Sequence, residues 1–262
     1  MAEGFHGRTA LIPGGGRGIG YAAGVMMAQQ GAKVALADVV GDRASEAAAR
    51  LKDETGADTL GIACDITSMA EVQKMVAETT SALGPVDVMV NTAAIVADKT
   101  FMESTPEDWK QMLDICLYGS MNVIHAVLPG MVERKYGRVV CLASDAARTG
   151  QARHSYYAAA KGGVISLVKS VAQEVGRNGV TLNVVSPGAT DTELRQGREK
   201  EVLASIGEER FAKREQTILR MYPTRRLGQP DDIASGIVYL CGDGASWVTG
   251  QVLSINGGFA MV

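Results

Sequence analysis

The chain has 262 residues, 46% of them hydrophobic and 21% charged, with 26 basic against 29 acidic side chains and a formal net charge of −3. That much chain can bury a core without disulfides or metals and fits one globular domain over residues 1–262. The acidic balance excludes a general nucleic-acid binder, no apolar run reaches the ~20 residues that span a bilayer, and residues 1–9 lack a charged-then-apolar signal, so a cytoplasmic protein is expected.

In chain order, short apolar runs alternate with amphipathic stretches. The pattern predicts strands at 8–13, 33–38, 59–63, 86–91, 138–143, 180–185 and 251–255. It predicts helices at 18–30, 42–54, 69–83, 106–133, 154–175 and 231–241, with Thr105 or Ser104 capping the long one. Near-continuous apolar strands separated by helices imply a parallel sheet buried on both faces: an α/β, Rossmann-type, doubly wound sheet of seven strands in a three-layer αβα arrangement. Residues 190–226 break the rhythm, and a connection that long in a compact domain is usually functional. They are expected to form a lid.

Cys64, Cys116, Cys141 and Cys241 have neither C-x-x-C spacing nor a nearby histidine, so neither a disulfide framework nor a metal site is expected. The glycines carry more. Pro13-Gly14-Gly15-Gly16-Arg17-Gly18-Ile19-Gly20 ends the first strand and opens the first helix. Glycine there lets the backbone turn tightly and approach a pyrophosphate seated on the helix N-terminus. Asp38 ends the second strand, where a carboxylate accepts from an adenosine ribose and repels a 2′-phosphate, favouring NAD over NADP. Arg17 pulls the other way, since a guanidinium there could pair with that phosphate. Asp65, after the third strand, either reaches the adenine or caps a turn.

Tyr157 and Lys161 lie four apart, on one face of the 154–175 helix, and Ser144 ends the preceding strand. A phenol with a pKa near 10 is a poor base at neutral pH. A positive charge ~4 Å away, at an effective dielectric of ~20, is worth ~4 kcal/mol, or roughly three pKa units. Lys161 together with a nicotinamide cation can therefore bring Tyr157 into working range. Tyr156 has only Ala160 at the next turn and is not assigned catalysis.

With the glycine turn and Pro187-Gly188 after the sixth strand, this constellation resembles the short-chain dehydrogenase/reductase family over nearly the whole chain. The resemblance implies that Tyr157 exchanges the alcohol proton, Ser144 holds the substrate oxygen and Lys161 also holds the nicotinamide ribose. It implies an NAD site formed by Gly14, Arg17, Gly18, Ile19, Gly20, Asp38, Asp65, Ile66, Asn91, Ala93, Tyr157, Lys161, Pro187, Gly188, Thr190 and Thr192. Three positions depart from the family's usual pattern: Pro13 stands where it has Thr, Ala94 where it has Gly, and Cys116 where a helix Asn joins the proton relay. Ala94 requires a negative φ or a strained backbone.

Residues 193–226 hold nine Lys/Arg against six Glu, which suggests an anionic substrate such as a coenzyme A thioester, or else a solvated helix face. The stretches 125–134 and 143–148 resemble the 2-hydroxycyclohexanecarboxyl-CoA dehydrogenases and the two-subunit dehydrogenase of benzylsuccinate breakdown, which pairs an active chain with a degenerate one. This narrower resemblance implies an enzyme of aromatic degradation that interconverts an alicyclic or aromatic-derived β-hydroxyacyl-CoA and its 3-oxoacyl-CoA. The competing expectation is a catalytically poor subunit that stabilises an active sister. Family members assemble as tetramers or dimers, so a homo-tetramer or a hetero-oligomer is expected. Arg148 and Arg153 are placed near the mouth of the site, or on the surface.

Overall fold

A computed structural model describes residues 4–262. The seven strands form as β1 (Thr9–Pro13), β2 (Lys33–Asp38), β3 (Thr59–Ala63), β4 (Val86–Asn91), β5 (Gly137–Leu142), β6 (Val180–Pro187) and β7 (Val252–Ile255), each within two residues of its expected bounds. All pair in parallel, in the order β3-β2-β1-β4-β5-β6-β7. The chain starts at β1, winds outward to β3, then crosses back to β4. That reversal leaves a crevice between the carboxyl ends of β1 and β4, where doubly wound sheets hold ligands.

Helices cover both faces because each strand sends alternate side chains to opposite sides. Ala10 and Ile12 pack with α1 (Gly18–Ala28), α2 (Gly41–Thr55) and α10 (Pro230–Cys241). Leu11 packs on the other face with α3 (Met69–Leu83), α5 (Gly119–Arg134) and α7 (Ser155–Val175). Pro13 is the last residue of β1, a position where a missing N–H costs the ladder little.

Two expectations are corrected. The predicted helix 106–133 is α4 (Pro106–Leu113) and α5 joined by a π-helical turn, Asp114–Tyr118. The Asn91 side chain donates to Ser120 Oγ (2.9 Å), which donates to the Cys116 carbonyl (2.7 Å), so the wide turn is tied to the end of β4. Thr105 is the cap, accepting from Asp108 N–H, whereas Ser104 accepts from the Trp109 indole. Together Pro106–Arg134 is long and apolar enough to cross a membrane by length and composition, although its buried residues pack inside the fold, Val123 and Val127 in one core and Met112 and Cys116 in another.

The second correction concerns residues 190–226, which are mostly helical: α8 (Glu193–Ile206) and α9 (Glu208–Met221) follow the short α6 (Ala146–Thr149) and α7 in chain order. Apolar periodicity misses α8 because its buried residue is a charged one, Glu199.

The entry to α10 yields a first prediction. Asp232 accepts from the Gln229 N–H (2.7 Å) and from Arg226 (2.8 Å), which hold its carboxyl down at about 2. Asp232→Ala should cost about 0.5–1 kcal/mol in urea unfolding near pH 7, a modest figure because the pair is solvent-screened. Since the folded pKa is depressed, this contribution is complete above the ordinary aspartate range and is lost as pH falls toward about 2. Equal unfolding midpoints at pH 7 would refute the assignment.

Candidate active site

The turn after β1 brings backbone against backbone. Gly14 has φ +77°, and a Cβ on it would lie 2.5 Å from the Ala93 nitrogen. The Thr92 N–H and hydroxyl both donate to the Pro13 carbonyl (2.9 and 3.0 Å), so the proline still binds the loop after β4 through its oxygen. Arg17 begins α1 without a side-chain cap, and the first turn carries no acidic residue. Its amide N–H groups therefore lack intrahelical or side-chain acceptors and suit a pyrophosphate.

Asp38 is buried at the end of β2. Its Oδ1 accepts from Val40 N–H (3.0 Å) and from Arg43 (3.1 Å). Arg43 lines the same cleft as Arg17, and the sequence reading missed it. The contact spans a strand-to-helix turn, where no periodicity announces it.

Across the cleft, Lys161 is buried and donates to the Leu142 carbonyl (2.7 Å), which pins its ammonium to the end of β5. Tyr157, one turn earlier on α7, is partly exposed at the cleft wall beside Ser144. Burial pushes the phenol above its usual value; Lys161 and the Ser144 hydroxyl pull it back without offsetting burial. Lys161 alone thus does not bring Tyr157 into working range. The cleft, about 850 Å³, runs from Gly14 and Asp38 past these three residues to α8 and α9.

A family model described as enoyl-(acyl carrier protein) reductase matches residues 14–260. The chain is 34% identical over 259 residues to a 3-oxoacyl-(acyl-carrier-protein) reductase of Vibrio cholerae, covering 98% of this chain and 99% of the relative. The chain belongs to the short-chain dehydrogenase/reductase family. It is an oxidoreductase, of a family whose fold uses a nicotinamide cofactor. An acetoacetyl-CoA reductase of Shinella zoogloeoides is 36% identical over 251 residues, 96% of this chain and 98% of the relative. Among solved structures, levodione reductase superposes with a TM-score of 0.91 at 33% identity, covering 97% of this chain and 98% of that one.

Most of the residues that the short-chain dehydrogenase/reductase pattern implicates do line the cleft: Gly14, Arg17, Gly18, Ile19, Gly20, Asp38, Asp65, Ile66, Ala93, Ser144, Tyr157, Lys161, Pro187, Gly188, Thr190 and Thr192. Asn91 is absent from this wall. It lies buried behind it, donating to Ser120 and accepting from Ala93 N–H, so its part is to hold the loop. Asp65 lines the cleft and also closes its own turn, accepting from Thr67 N–H (2.9 Å).

The departures from the family pattern are accommodated. Outside glycine, positive φ occurs among the described residues only at Lys135, Arg153 and Arg225, so Ala94 is unstrained. Cys116 is fully buried against Met112 and the Ile95 carbonyl. Tyr156 is buried with its hydroxyl unpartnered. Arg148 leaves the site altogether and binds Ser254 and the Val262 carbonyl, whereas Arg153 lines the cleft, paired with Asp98.

Asp145 is a residue that sequence reasoning passed over. It is buried directly after Ser144 and accepts from Ser186 (2.8 Å) and Asn256 (2.6 Å). Burial raises its carboxyl and these bonds moderate the rise. It anchors the Ser144 turn to β6 and to the chain after β7.

Proposed function

We propose that this chain oxidises a 3-hydroxyacyl thioester to the 3-oxoacyl thioester, or catalyses the reverse, with NAD as its cofactor. The observation that carries the reading is the convergence of Ser144, Tyr157 and Lys161 on one cleft that also holds the bare N-terminus of α1. In the oxidation direction Tyr157, as phenolate, takes the hydroxyl proton, Ser144 donates to the substrate oxygen, and Lys161 stabilises the phenolate. When bound, a nicotinamide supplies the acceptor for the hydride that leaves the same carbon. The thioester class comes from the relatives' names, acetoacetyl-CoA reductase and 3-oxoacyl-(acyl-carrier-protein) reductase. Apolar walls at Ile95, Val96, Ile218 and Met221 suit an alicyclic or aromatic-derived acyl group, a class that those names do not mention.

Helices α8 and α9 act as the lid, roofing the substrate end. Assembly as a homo-tetramer belongs to the same reading; the exposed Phe101, Met102, Tyr118 and Trp247 are apolar surface that a partner would cover. The alternative of a degenerate partner subunit rested on Pro13, Ala94 and Cys116, and none of the three distorts the site.

Preference for NAD rests on Asp38, and the nearby Arg43 makes it reversible. Calorimetric titration should find NAD bound at least about tenfold more tightly than NADP. Asp38→Ser frees Arg43 for a 2′-phosphate and should narrow that ratio about tenfold or more. Tighter NADP binding by the unaltered chain would sink the NAD assignment. Failure to oxidise 3-hydroxybutyryl-CoA or longer 3-hydroxyacyl-CoA thioesters with either cofactor would sink the substrate class.

A further inference from the structure

After Gly188 the chain runs on as a short extension of the sheet. The Asp191 N–H donates to the Gly228 carbonyl (2.8 Å) and the Gly228 N–H to that of Ala189 (3.0 Å), so Thr190 bridges Gly228 in parallel. Thr192 then caps α8 by accepting from the Arg195 N–H (3.3 Å), which makes Glu193 the first residue of that helix. Glu193 is thereby delivered to the start of α1. Its Oε2 lies 3.4 Å from the point that a Cβ on Gly18 would occupy, with Thr192 Cγ2 3.5 Å from the same point. Gly18 is the first residue of α1, and Gly18, Thr192 and Glu193 all line the cleft.

The cations nearby are committed to other carboxylates. On the lid, Arg195 pairs with Glu215, and Arg198 and Arg214 pair with Glu199; at the far end of the cofactor half, Arg43 pairs with Asp38. Among the described residues, no lysine or arginine nitrogen comes within 4.0 Å of the Glu193 carboxylate. Arg17 directly precedes Gly18 and lines the same stretch of cleft. The phosphates of a dinucleotide would therefore meet one positive and one negative side chain at the start of α1.

The Glu193 charge acts differently with and without a nucleotide. Alone, a carboxylate beside the first turn of a helix is favourable, because the amide dipoles there attract negative charge. The same amides suit a pyrophosphate, and two anions drawing on one set of donors repel each other in a cleft that screens them less than bulk water does. That repulsion arises only when a dinucleotide binds, so it subtracts from affinity. We infer that Glu193 limits how tightly the dinucleotide is held, opposing Arg17 at the phosphates and keeping the cofactor free to leave after each turnover.

This inference rests on the nucleotide half of the proposed function and is independent of the thioester half. Its test is calorimetric titration of the full chain with NAD and with ADP-ribose, which shares the pyrophosphate and lacks the nicotinamide. Glu193→Gln should tighten both by about threefold to tenfold at low salt. The gain should shrink toward unity near 1 M salt, where the Debye length is about 3 Å. Glu193→Asp keeps the charge and should show less of the gain. Without nucleotide, the unfolding temperature of Glu193→Gln should fall slightly, since a carboxylate is lost from the first turn of α8 and from beside α1. Binding and stability thus move in opposite directions, which a loss of packing would not produce.

NAD bound equally by the unaltered chain and by Glu193→Gln, or a gain that persisted undiminished at high salt, would overturn the inference and leave the cofactor reading standing. Weaker binding of NAD alone in the variant would also overturn it, and would make Glu193 a ligand of the nicotinamide half. If neither chain bound NAD, NADP or ADP-ribose, the cofactor reading and this inference would fall together. A gain shared by NADP, with NADP the tighter ligand throughout, would sink the NAD assignment and uphold the role of Glu193.

Discussion

Tyr157→Phe should lower the rate of alcohol oxidation by about a hundredfold to ten-thousandfold, the range associated with one positioned acid–base group. The substitution removes a single oxygen. The ring stays packed on α7, so the unfolding midpoint and NAD affinity should change little. Tyr156→Phe is the matched control. Its hydroxyl is buried without a partner, and removing it forfeits no hydrogen bond, so activity should persist and stability hold or rise. If both variants lost activity alike, the effect would be one of packing in α7 rather than proton transfer.

The pH dependence sharpens the same test. Burial holds the Tyr157 phenol above its usual value, with Lys161 pulling downward. The oxidising form is the phenolate, so the rate should climb with pH through the phenol's titration. Lys161→Met removes the downward pull and should move that climb to still higher pH. A profile that stayed in place while the rate fell would reduce Lys161 to a ribose-holding or structural role.

These residues were legible in the sequence for a local reason: Tyr157 and Lys161 are one helical turn apart, so their juxtaposition needs only the helix. The strands were legible because runs such as Val34–Ala37 and Val88–Val90 are buried on both faces and leave no polar position to confuse the pattern. Contacts between elements were not. Arg43 on Asp38, Arg198 beside His154, and Asn91 on Ser120 join side chains far apart in sequence or across a turn, and nothing periodic marks them. The π-helical turn around Cys116 was invisible because Pro106–Arg134 keeps one apolar helical pattern through it. Helix α8 escaped notice because it buries a charge, Glu199 among three arginines, where an apolar stripe would have announced a helix.

Gly14→Ala should be the most damaging small substitution in the cofactor half of the cleft. Two costs combine. A side chain at φ +77° strains the backbone by about 1–2 kcal/mol. The new methyl would also lie 2.5 Å from the Ala93 nitrogen and 2.7 Å from its Cα, atoms of a loop fixed by Thr92 on Pro13 and by Asn91 on Ser120. Forcing these apart should add about 1–3 kcal/mol, for a total of roughly 2–5 kcal/mol. Gly56→Ala isolates the first cost: Gly56 has φ +72° at the end of α2, with nothing within 4 Å of its would-be Cβ. The excess of the Gly14 variant over the Gly56 variant measures the closeness of the two loops. Because the same turn opens α1, NAD affinity should fall at least about tenfold in Gly14→Ala and remain unchanged in Gly56→Ala. Equal destabilisation of the two, with NAD affinity intact in both, would mean that the turn and the loop after β4 are farther apart in solution and that the cofactor's phosphates do not rest on this turn.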